Sequence, residues 1–333
     1  MSAISPRHRV QGSLSTTSRT DNDVLRGVTC TSVRLCVAVG DYSPGTAVSG
    51  SQPLVEVWDG TAWSVMKPAP TSANDADFLY GISCVPARFC AAAGYYFGPT
   101  VGFPKPLVEL WEGGAWSPVT PPPTSANDQH LLTSVSCTSA RFCVAAGYYS
   151  GNSGTGPLEP LVESWNGSVW SMATPPLPTG SSTGLLTSVS CTSGRFCVAV
   201  GPGPLVEMWD GSAWSPMAPS PTSTSDDDWL SGVSCTSVRR CVGAGYYWGA
   251  TTGGYPHIVP LAEHWDGRTW SIAKPPPTST SDSDTIKSVA CASPRFCVAA
   301  GDYSGSTTGG ALQPFAEVWS PNWRTGLTHA AST

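Results

Sequence analysis

The sequence predicts an all-β chain folded as a six-bladed β-propeller, with four antiparallel strands and one disulfide in each blade. Three observations carry this. Twelve cysteines form six pairs, each with five residues between the partners: Cys30/Cys36, Cys84/Cys90, Cys137/Cys143, Cys191/Cys197, Cys235/Cys241 and Cys291/Cys297. The same words surround every pair, and repetition of this kind outranks any local motif. Composition agrees: 35 glycines and 31 prolines, with 14 tryptophans and 10 tyrosines among 333 residues, suit many short strands joined by turns.

In the first unit Val28 and Cys30 lead into a short turn that returns through Cys36. The two sulfurs therefore face each other across a hairpin, at a separation a disulfide can span. So short a loop contributes about 2 kcal/mol per bridge in the chain-entropy account, so the bonds staple strands one and two and packing must supply the rest of the stability. After a long loop, PLVEVW and TAWSVM form a second hairpin. Its turn is marked by Asp59-Gly60 and by Glu112-Gly113, Asn166-Gly167, Asp210-Gly211 and Asp266-Gly267, where glycine supplies positive φ. Read as a two-residue turn, Asp59-Gly60 sets Glu56 opposite Trp63, on the face of Leu54 and Trp58, with Val55 and Val57 on the other. A small sheet apolar on both faces must be covered on both, and sheets stacked around an axis achieve this without exposed edges.

The expected organisation is one domain over 23–324, with blades at 23–70, 71–123, 124–178, 179–221, 222–277 and 278–324, between tails 1–22 and 325–333. The sixth unit replaces the Asp-Gly hairpin by Trp319-Ser320-Pro321-Asn322-Trp323, which is read as ring closure. The stretch before Cys30 resembles the inter-blade segment PTSANDADFLYGISC, so the tail around Val10 to Leu14 is expected to add a strand to the last blade.

A formal charge of −6 with only four lysines excludes the cationic footprint that nucleic-acid phosphates require. Strict cysteine pairing points to an oxidising compartment and hence an extracellular or cell-surface protein. That expectation stands although MSAISPRHRVQGSLSTTSRT has no apolar core of signal-peptide length and no later stretch is long enough to span a bilayer. The expected state is a monomer without cofactor.

Twelve charges lie in register: Glu56, Glu109, Glu163, Glu207, Glu263 and Glu317, and Arg34, Arg88, Arg141, Arg195, Arg239 and Arg295. A ring of carboxylates could bind a cation or act as acid and base. The structural reading is stronger: a glutamate between Leu54 and Trp58 needs a paired donor, and the turn arginine offers a planar fork. C-x5-C lacks the histidines and short knuckle of zinc sites, so no metal is expected. The five histidines fall in no register, and no catalytic residues are assigned.

Short turns share one rim of such a body and long loops the other, where binding usually resides. The loops after strand two open on tyrosines: Tyr42, Tyr95-Tyr96, Tyr148-Tyr149, Tyr246-Tyr247 and Tyr303. Inter-blade connections add short acids and amides, including Asp226-Asp227-Asp228. Blade four has only Pro202-Gly203 in its loop, whereas blade five runs from Tyr246 to Val259 through Trp248, Tyr255 and His257. Trp229 and Trp248 are the tryptophans outside the repeat. These features predict a groove over blade four, walled by blade five, with Trp229, Tyr246, Tyr247, Trp248, Tyr255, His257, Asp226, Asp227, Asp228, Tyr148 and Tyr149 as the ligand-binding residues. Aromatic platforms beside carboxylates suit a sugar.

The words GDYS…VEVWDGTAW, with a strand-two glycine, a strand-three aromatic before a turn and a strand-four tryptophan, resemble kelch-type propeller blades, though the doubled glycine of kelch repeats is missing. The fuller pattern, SCTSARFCVAAG followed by LVESWNGSVWS, is similar to secreted actinobacterial repeat proteins over almost the whole chain. The resemblance implies fold and compartment. Neither the copper ligands of galactose oxidase nor the Asp-box of sialidases has a counterpart. The expected function is non-catalytic recognition of a polysaccharide or envelope glycan. A protein-interaction platform and a glycoside hydrolase or polysaccharide lyase are the alternatives, the enzyme requiring non-repeating acids, for which only Asp226 to Asp228, His130 and His257 are candidates.

Overall fold

A computed structural model describes residues 22–319 apart from 44–49, 67, 69, 73–74, 87–88, 99–101, 120, 122–127, 179–183, 204, 219–227, 253–254, 274, 276–281 and 306–307, and gives the backbone alone for 152–153, 250–252 and 255–257. The first blade contains β1 (Asn22–Ser32), β2 (Leu35–Ser43), β3 (Gln52–Trp58) and β4 (Trp63–Met66), and the second β5 (Ala76–Val85), β6 (Phe89–Phe97), β7 (Lys105–Trp111) and β8 (Trp116–Val119). Blade three is β9 (Gln129–Ser139), β10 (Phe142–Ser150), β11 (Leu158–Trp165) and β12 (Trp170–Ala173), with one helical turn, α1 (Gly151–Gly154), after β10. Blade four is β13 (Ser188–Ser193), β14 (Phe196–Val200), β15 (Val206–Trp209) and β16 (Trp214–Met217). Blade five is β17 (Asp228–Ser237), β18 (Arg240–Thr252), β19 (Tyr255–Trp265) and β20 (Trp270–Ala273). Blade six has three strands among the described residues, β21 (Asp282–Ser293), β22 (Phe296–Gly305) and β23 (Gln313–Trp319). All strand pairs are antiparallel neighbours in sequence order, which makes a six-bladed β-propeller.

All six expected disulfides are formed, Cys30–Cys36, Cys84–Cys90, Cys137–Cys143, Cys191–Cys197, Cys235–Cys241 and Cys291–Cys297, each joining the first two strands of its blade. Such bonds call for an oxidising environment. Cys90, Cys143 and Cys197 also take part in packing. Each is fully buried and belongs to a core between blades: Cys90 with Leu79 and Ala92, Cys143 with Leu132 and Ala145, Cys197 with Leu186 and Ala199. Strand two lies inside its sheet and between neighbouring blades, whereas the first-strand partners Cys84, Cys137 and Cys191 stay half-buried. These three sulfurs are therefore packing groups as well as cross-links, and no ligand can reach them. Among the described residues no helix is long and apolar enough to cross a membrane.

The second hairpin differs from the two-residue turn expected. Trp58 pairs with Trp63, and Glu56 lies opposite Val65 rather than Trp63. The cause is the aspartate, whose Oδ1 accepts from Thr61 N at 2.7 Å and Ala62 N at 3.0 Å and so winds Asp59 to Ala62 into a four-residue loop. Asn166, Asp210 and Asp266 do the same, and Gly60, Gly167, Gly211 and Gly267 follow at φ 98–100°. Because the shift is by two positions, every side chain keeps its expected face.

First strands form the inner wall. Serine hydroxyls of one inner strand accept backbone N–H bonds from the next: Cys137 N to Ser83 Oγ at 2.9 Å, Cys191 N to Ser136 at 2.9 Å, Cys235 N to Ser190 at 3.0 Å and Cys291 N to Ser234 at 3.0 Å. Core residues fill the spaces between blades. Val37, Val39 and Val55 of blade one pack on Leu79, Ile82, Ala92, Leu107 and Trp116 of blade two, and the scheme repeats to blade six. The faces of blades one and six that border the remaining seam stay uncovered by described residues. Val28 is 64 % exposed, while its counterparts Ile82, Val135, Val189, Val233 and Val289 are buried. The expected closing strand around Val10 to Leu14 and the Trp323 turn lie outside the described residues.

The six repeated glutamates are buried. Among the described residues, the arginine pairing expected of Glu109, Glu163 and Glu207 is not made. The arginines instead lay their alkyl stems on the turn glycines, Arg34 Cγ against Gly60 and likewise Arg141, Arg195 and Arg239 against Gly167, Gly211 and Gly267. The turn lies at the rim, beyond reach of a carboxyl deeper in the strand. Glu109, Glu163 and Glu207 have both carboxyl oxygens without a hydrogen-bond partner, and burial pushes each up to about 8, with nearby Asp77 a lesser contribution for Glu109. These groups sit in the core as neutral acids at neutral pH.

Candidate binding surface at the channel mouth

Where each inner strand reaches the long-loop rim, the ladder slips by one residue. The shifts fall at Leu25/Gly27, Leu79/Gly81, Ala146/Gly147, Leu230/Gly232 and Ile286/Ser288, leaving one residue per blade outside the pairing. Those residues are Arg26, Tyr80, Thr133, Ser231 and Lys287, with Thr187 at the matching place in blade four. They stand side by side around the axis. The Arg26 guanidinium lies 4.6 Å from the centre of the Tyr80 ring, Thr133 Oγ1 donates to Leu186 O of the next blade at 2.8 Å, and Thr187 Oγ1 donates to Leu230 O at 2.6 Å. On a scaffold this regular, a position carrying two cations, a phenol and three hydroxyls is where the blades acquire individual chemistry.

The strand-two tyrosines divide into two sets by alternation. Tyr96, Tyr149 and Tyr247 point into the cores shared with the preceding blade. Each pairs across its ladder with an inner-strand polar residue, Asp77, His130 or Asp228. Tyr95, Tyr148 and Tyr246 face the other way, half-buried, toward the mouth. Tyr95 stacks on Phe78 at 5.1 Å and on Tyr80 at 5.5 Å, with the Tyr80 and Tyr95 hydroxyls 3.4 Å apart. Burial raises the Tyr95 phenol, and the Tyr80 hydroxyl bond adds to it. Trp229 stacks on Tyr246 at 5.9 Å with planes 7° apart.

β14 stops at Val200, whereas β18 continues to Thr252, a projection of roughly 25 Å at about 3.3 Å per residue. The groove, however, is not lined as expected. Tyr246 and Trp248 share the side of β18 that carries Val242 and Ala244, which pack against Ile286 and Val289 of blade six. Trp229, Tyr246 and Trp248 therefore turn toward blade six and the mouth, and of the predicted set with described side chains Tyr247 and Asp228 face blade four from blade five, and Tyr148, on the side of Val144 and Ala146, faces it from blade three. A one-residue step along a strand reverses the face, and the loop order in the sequence does not record it. Blade four's short connection is itself sewn to blade five, Pro202 bridging to Trp229 and Gly203 N donating to Asp228 O at 2.6 Å. Trp248, paired with Ile258, is 45 % exposed. Tyr255 and His257 lie in β19, whose side chains there are outside the described residues, as are Asp226 and Asp227.

Carboxylates at this rim are engaged. Asp41 accepts from Arg26 Nε at 2.9 Å; burial raises its carboxyl, and Arg26 pulls the other way. Asp77 accepts from Thr71 N at 2.7 Å and Thr71 Oγ1 at 2.8 Å, while Asp75 takes the same hydroxyl. Asp302 accepts from Thr285 Oγ1 at 2.6 Å and sits 3.7 Å from Lys287 Nζ. His130 is fully buried; desolvation first and Lys105 second lower it to about 4, so the ring is neutral. Sequence reading missed Arg26, Tyr80 and Phe78. The available signal for Arg26 and Tyr80 was the non-repeating letter before the inner-strand glycine.

No protein-family model matches the chain, and no curated protein matches it in sequence. The kelch-type resemblance therefore rests on the repeat words alone. Among solved structures the chain is similar to YCF48 bound to a D1 peptide, at 12 % identity over 92 % of this chain and 96 % of that one, TM-score 0.47. It is also similar to an ancestral GH74 enzyme, at 12 % identity over 91 % of this chain, TM-score 0.52, and spans 37 % of that chain. At this identity the likeness to the GH74 enzyme bears on the fold alone.

Proposed function

We propose that the protein is a secreted, non-catalytic binding propeller that takes a polysaccharide or envelope glycan on the channel-mouth rim. The observation that carries this reading is the Trp229–Tyr246 stack with exposed Trp248 two residues further along β18. Flat, partly exposed rings on a rigid strand are suited to the apolar faces of sugars, and they cost little entropy to order. The Phe78–Tyr95–Tyr80 group continues the aromatic surface on blade two, and the Arg26–Asp41 pair offers donors and acceptors for hydroxyls beside it.

The hydrolase alternative needs two carboxyls free to serve a glycosidic bond. At this rim Asp41 and Asp302 bond side chains of their own blades' inner strands, and Asp75 and Asp77 hold the loop at Thr71, which favours binding over cleavage. The experiment is retention of the oxidised protein on insoluble cell-wall and plant polysaccharides, scored for bound protein and for released oligosaccharide. Retention without release is expected. Release of oligosaccharide, or absence of retention on every glycan, overturns the reading.

A further inference from the structure

Blade five departs from the repeat at its opposite end as well. At the first position of strand two, blades two, three, four and six carry Phe89, Phe142, Phe196 and Phe296, and blade one carries Leu35; blade five carries Arg240. One position before the strand-three tryptophan, the same blade places His264 where others have Val57, Leu110, Ser164, Met208 and Val318. In blades two and four the strand-two site is filled by a buried ring, Phe89 at 2 % and Phe196 at 7 % exposed, and Leu110 is buried beside the first. In blade five both replacements project from one side of the sheet toward blade six, beside Val242, which pairs directly with His264.

The result is a cavity of about 150 Å³ between blades five and six on the short-turn rim. That is well above the ~10–15 Å³ a single water centre needs. Arg240, His264 and, from blade six, Arg295 line it, with the hydroxyls of Thr236 and Ser293 and the ring of Phe296; no aspartate or glutamate does. In a chain of net charge −6, three basic side chains meet around a space with donors and no carboxylate. Desolvation, with the Arg240 charge as the second cause, holds His264 below its usual value, as expected of an imidazole crowded by a cation.

We infer that this cavity is an oxyanion site that takes a phosphate or sulfate group, with Arg240 as the principal anchor and Arg295, His264 and the Ser293 hydroxyl as further donors. Guanidinium groups bind such groups through paired charge-assisted bonds, and partial enclosure strengthens them. The site faces away from the aromatic rim and is independent of the glycan reading. Phosphate or sulfate can arrive as the free ion or as an ester on a polymer, and both present the same oxygens.

The test uses the intact oxidised protein and the repeat's own residues as variants, Arg240→Phe as at Phe196 and His264→Met as at Met208. Inorganic phosphate and sulfate are expected to raise the melting temperature saturably above chloride at equal ionic strength, and to shift the His264 imidazole resonances. Arg240→Phe is expected to weaken binding at least tenfold. Arg240→Gln, which leaves a polar side chain of similar length, must also lose it, and serves if the phenylalanine variant does not fold. Dextran sulfate against dextran separates the sources: tighter capture of the sulfated polymer than of free sulfate assigns the ester, and equal affinity the free ion. Absence of saturable phosphate and sulfate binding, or binding unchanged in both Arg240 variants, overturns the site.

Discussion

Arg26 lays its guanidinium 4.6 Å from the centre of the Tyr80 ring while its Nε donates to Asp41 at 2.9 Å, so one side chain ties blade one to blade two at the channel mouth. Both residues occupy the slipped position of their inner strands. Stacking and fork geometry are specific to arginine, so Arg26→Lys is expected to lose both. In urea unfolding, a double-mutant cycle of Arg26→Lys with Tyr80→Ser, the residue blade five carries there, should show a coupling of about 0.5–2 kcal/mol. Additive single effects would show that the contact does not join the blades.

Within the aromatic rim, strand alternation separates ligand contacts from packing. Trp248→Ala and Trp229→Ala are expected to lower glycan affinity about tenfold each, equivalent to the ~1.4 kcal/mol that a good stacking contact can supply. Trp248→Ala should leave the melting temperature nearly unchanged, since the side chain is 45 % exposed. Tyr247→Ala, in the core shared with blade four, should instead reduce stability with little change in affinity. Unchanged affinity in both tryptophan variants would remove the proposed surface.

Buried carboxyls predict a stability that declines with rising pH. Glu109, Glu163 and Glu207 are raised from 4.5 to about 8 in the fold, so the folded state holds protons the unfolded chain has released. Their contribution is complete below pH 4.5 and is lost as pH rises through 8, at up to about 1.4 kcal/mol per pH unit for each group. Denaturant midpoints measured from about pH 5 to 9 should fall over that window. The triple variant Glu109→Gln, Glu163→Gln and Glu207→Gln should flatten the curve; an identical slope in the variant would mean other groups carry it.

Blade closure makes a prediction about the tail. The interval from Trp63 to Cys84 recurs unchanged from Trp116 to Cys137, Trp170 to Cys191, Trp214 to Cys235 and Trp270 to Cys291. Counted back from Cys30, it reaches Arg9, which overlaps the expected closing strand around Val10 to Leu14. A protein beginning at Asn22 should therefore be less stable and bind more of an apolar dye at the seam, where Val28, Leu312 and Val318 are exposed. Equal stability of the shortened and full chains would exclude the tail as the closing strand and favour Trp323 and its neighbours.

Much of the fold was legible in the residues. Cysteine spacing, the Trp-Asp-Gly turns and the apolar words repeat within each unit, so local chemistry specified hairpins, disulfides and blade number. Spacing could not show that Cys90, Cys143 and Cys197 are also core residues, because the neighbouring blade that covers them lies elsewhere in the chain. The turn length was misread because Asp59 winds its own loop through its carboxylate, and two-residue and four-residue loops leave the same face pattern. The candidate site was half legible. Trp229 and Trp248 stood out as departures from the repeat beside the recurring Tyr246, but the common orientation of the three toward blade six depends on strand parity. Arg240 and His264 lie apart in sequence and meet only because β18 pairs with β19.

The repeat by itself determined a six-bladed, disulfide-stapled propeller, because turn geometry, hairpin pairing and cysteine apposition are set by residues close along the chain. Only the packed structure decided which tyrosines are walls of the core and which face the mouth, and that Arg240, His264 and Arg295 share one cavity. Those outcomes follow from strand alternation and from contacts between successive blades, which join residues far apart in the chain.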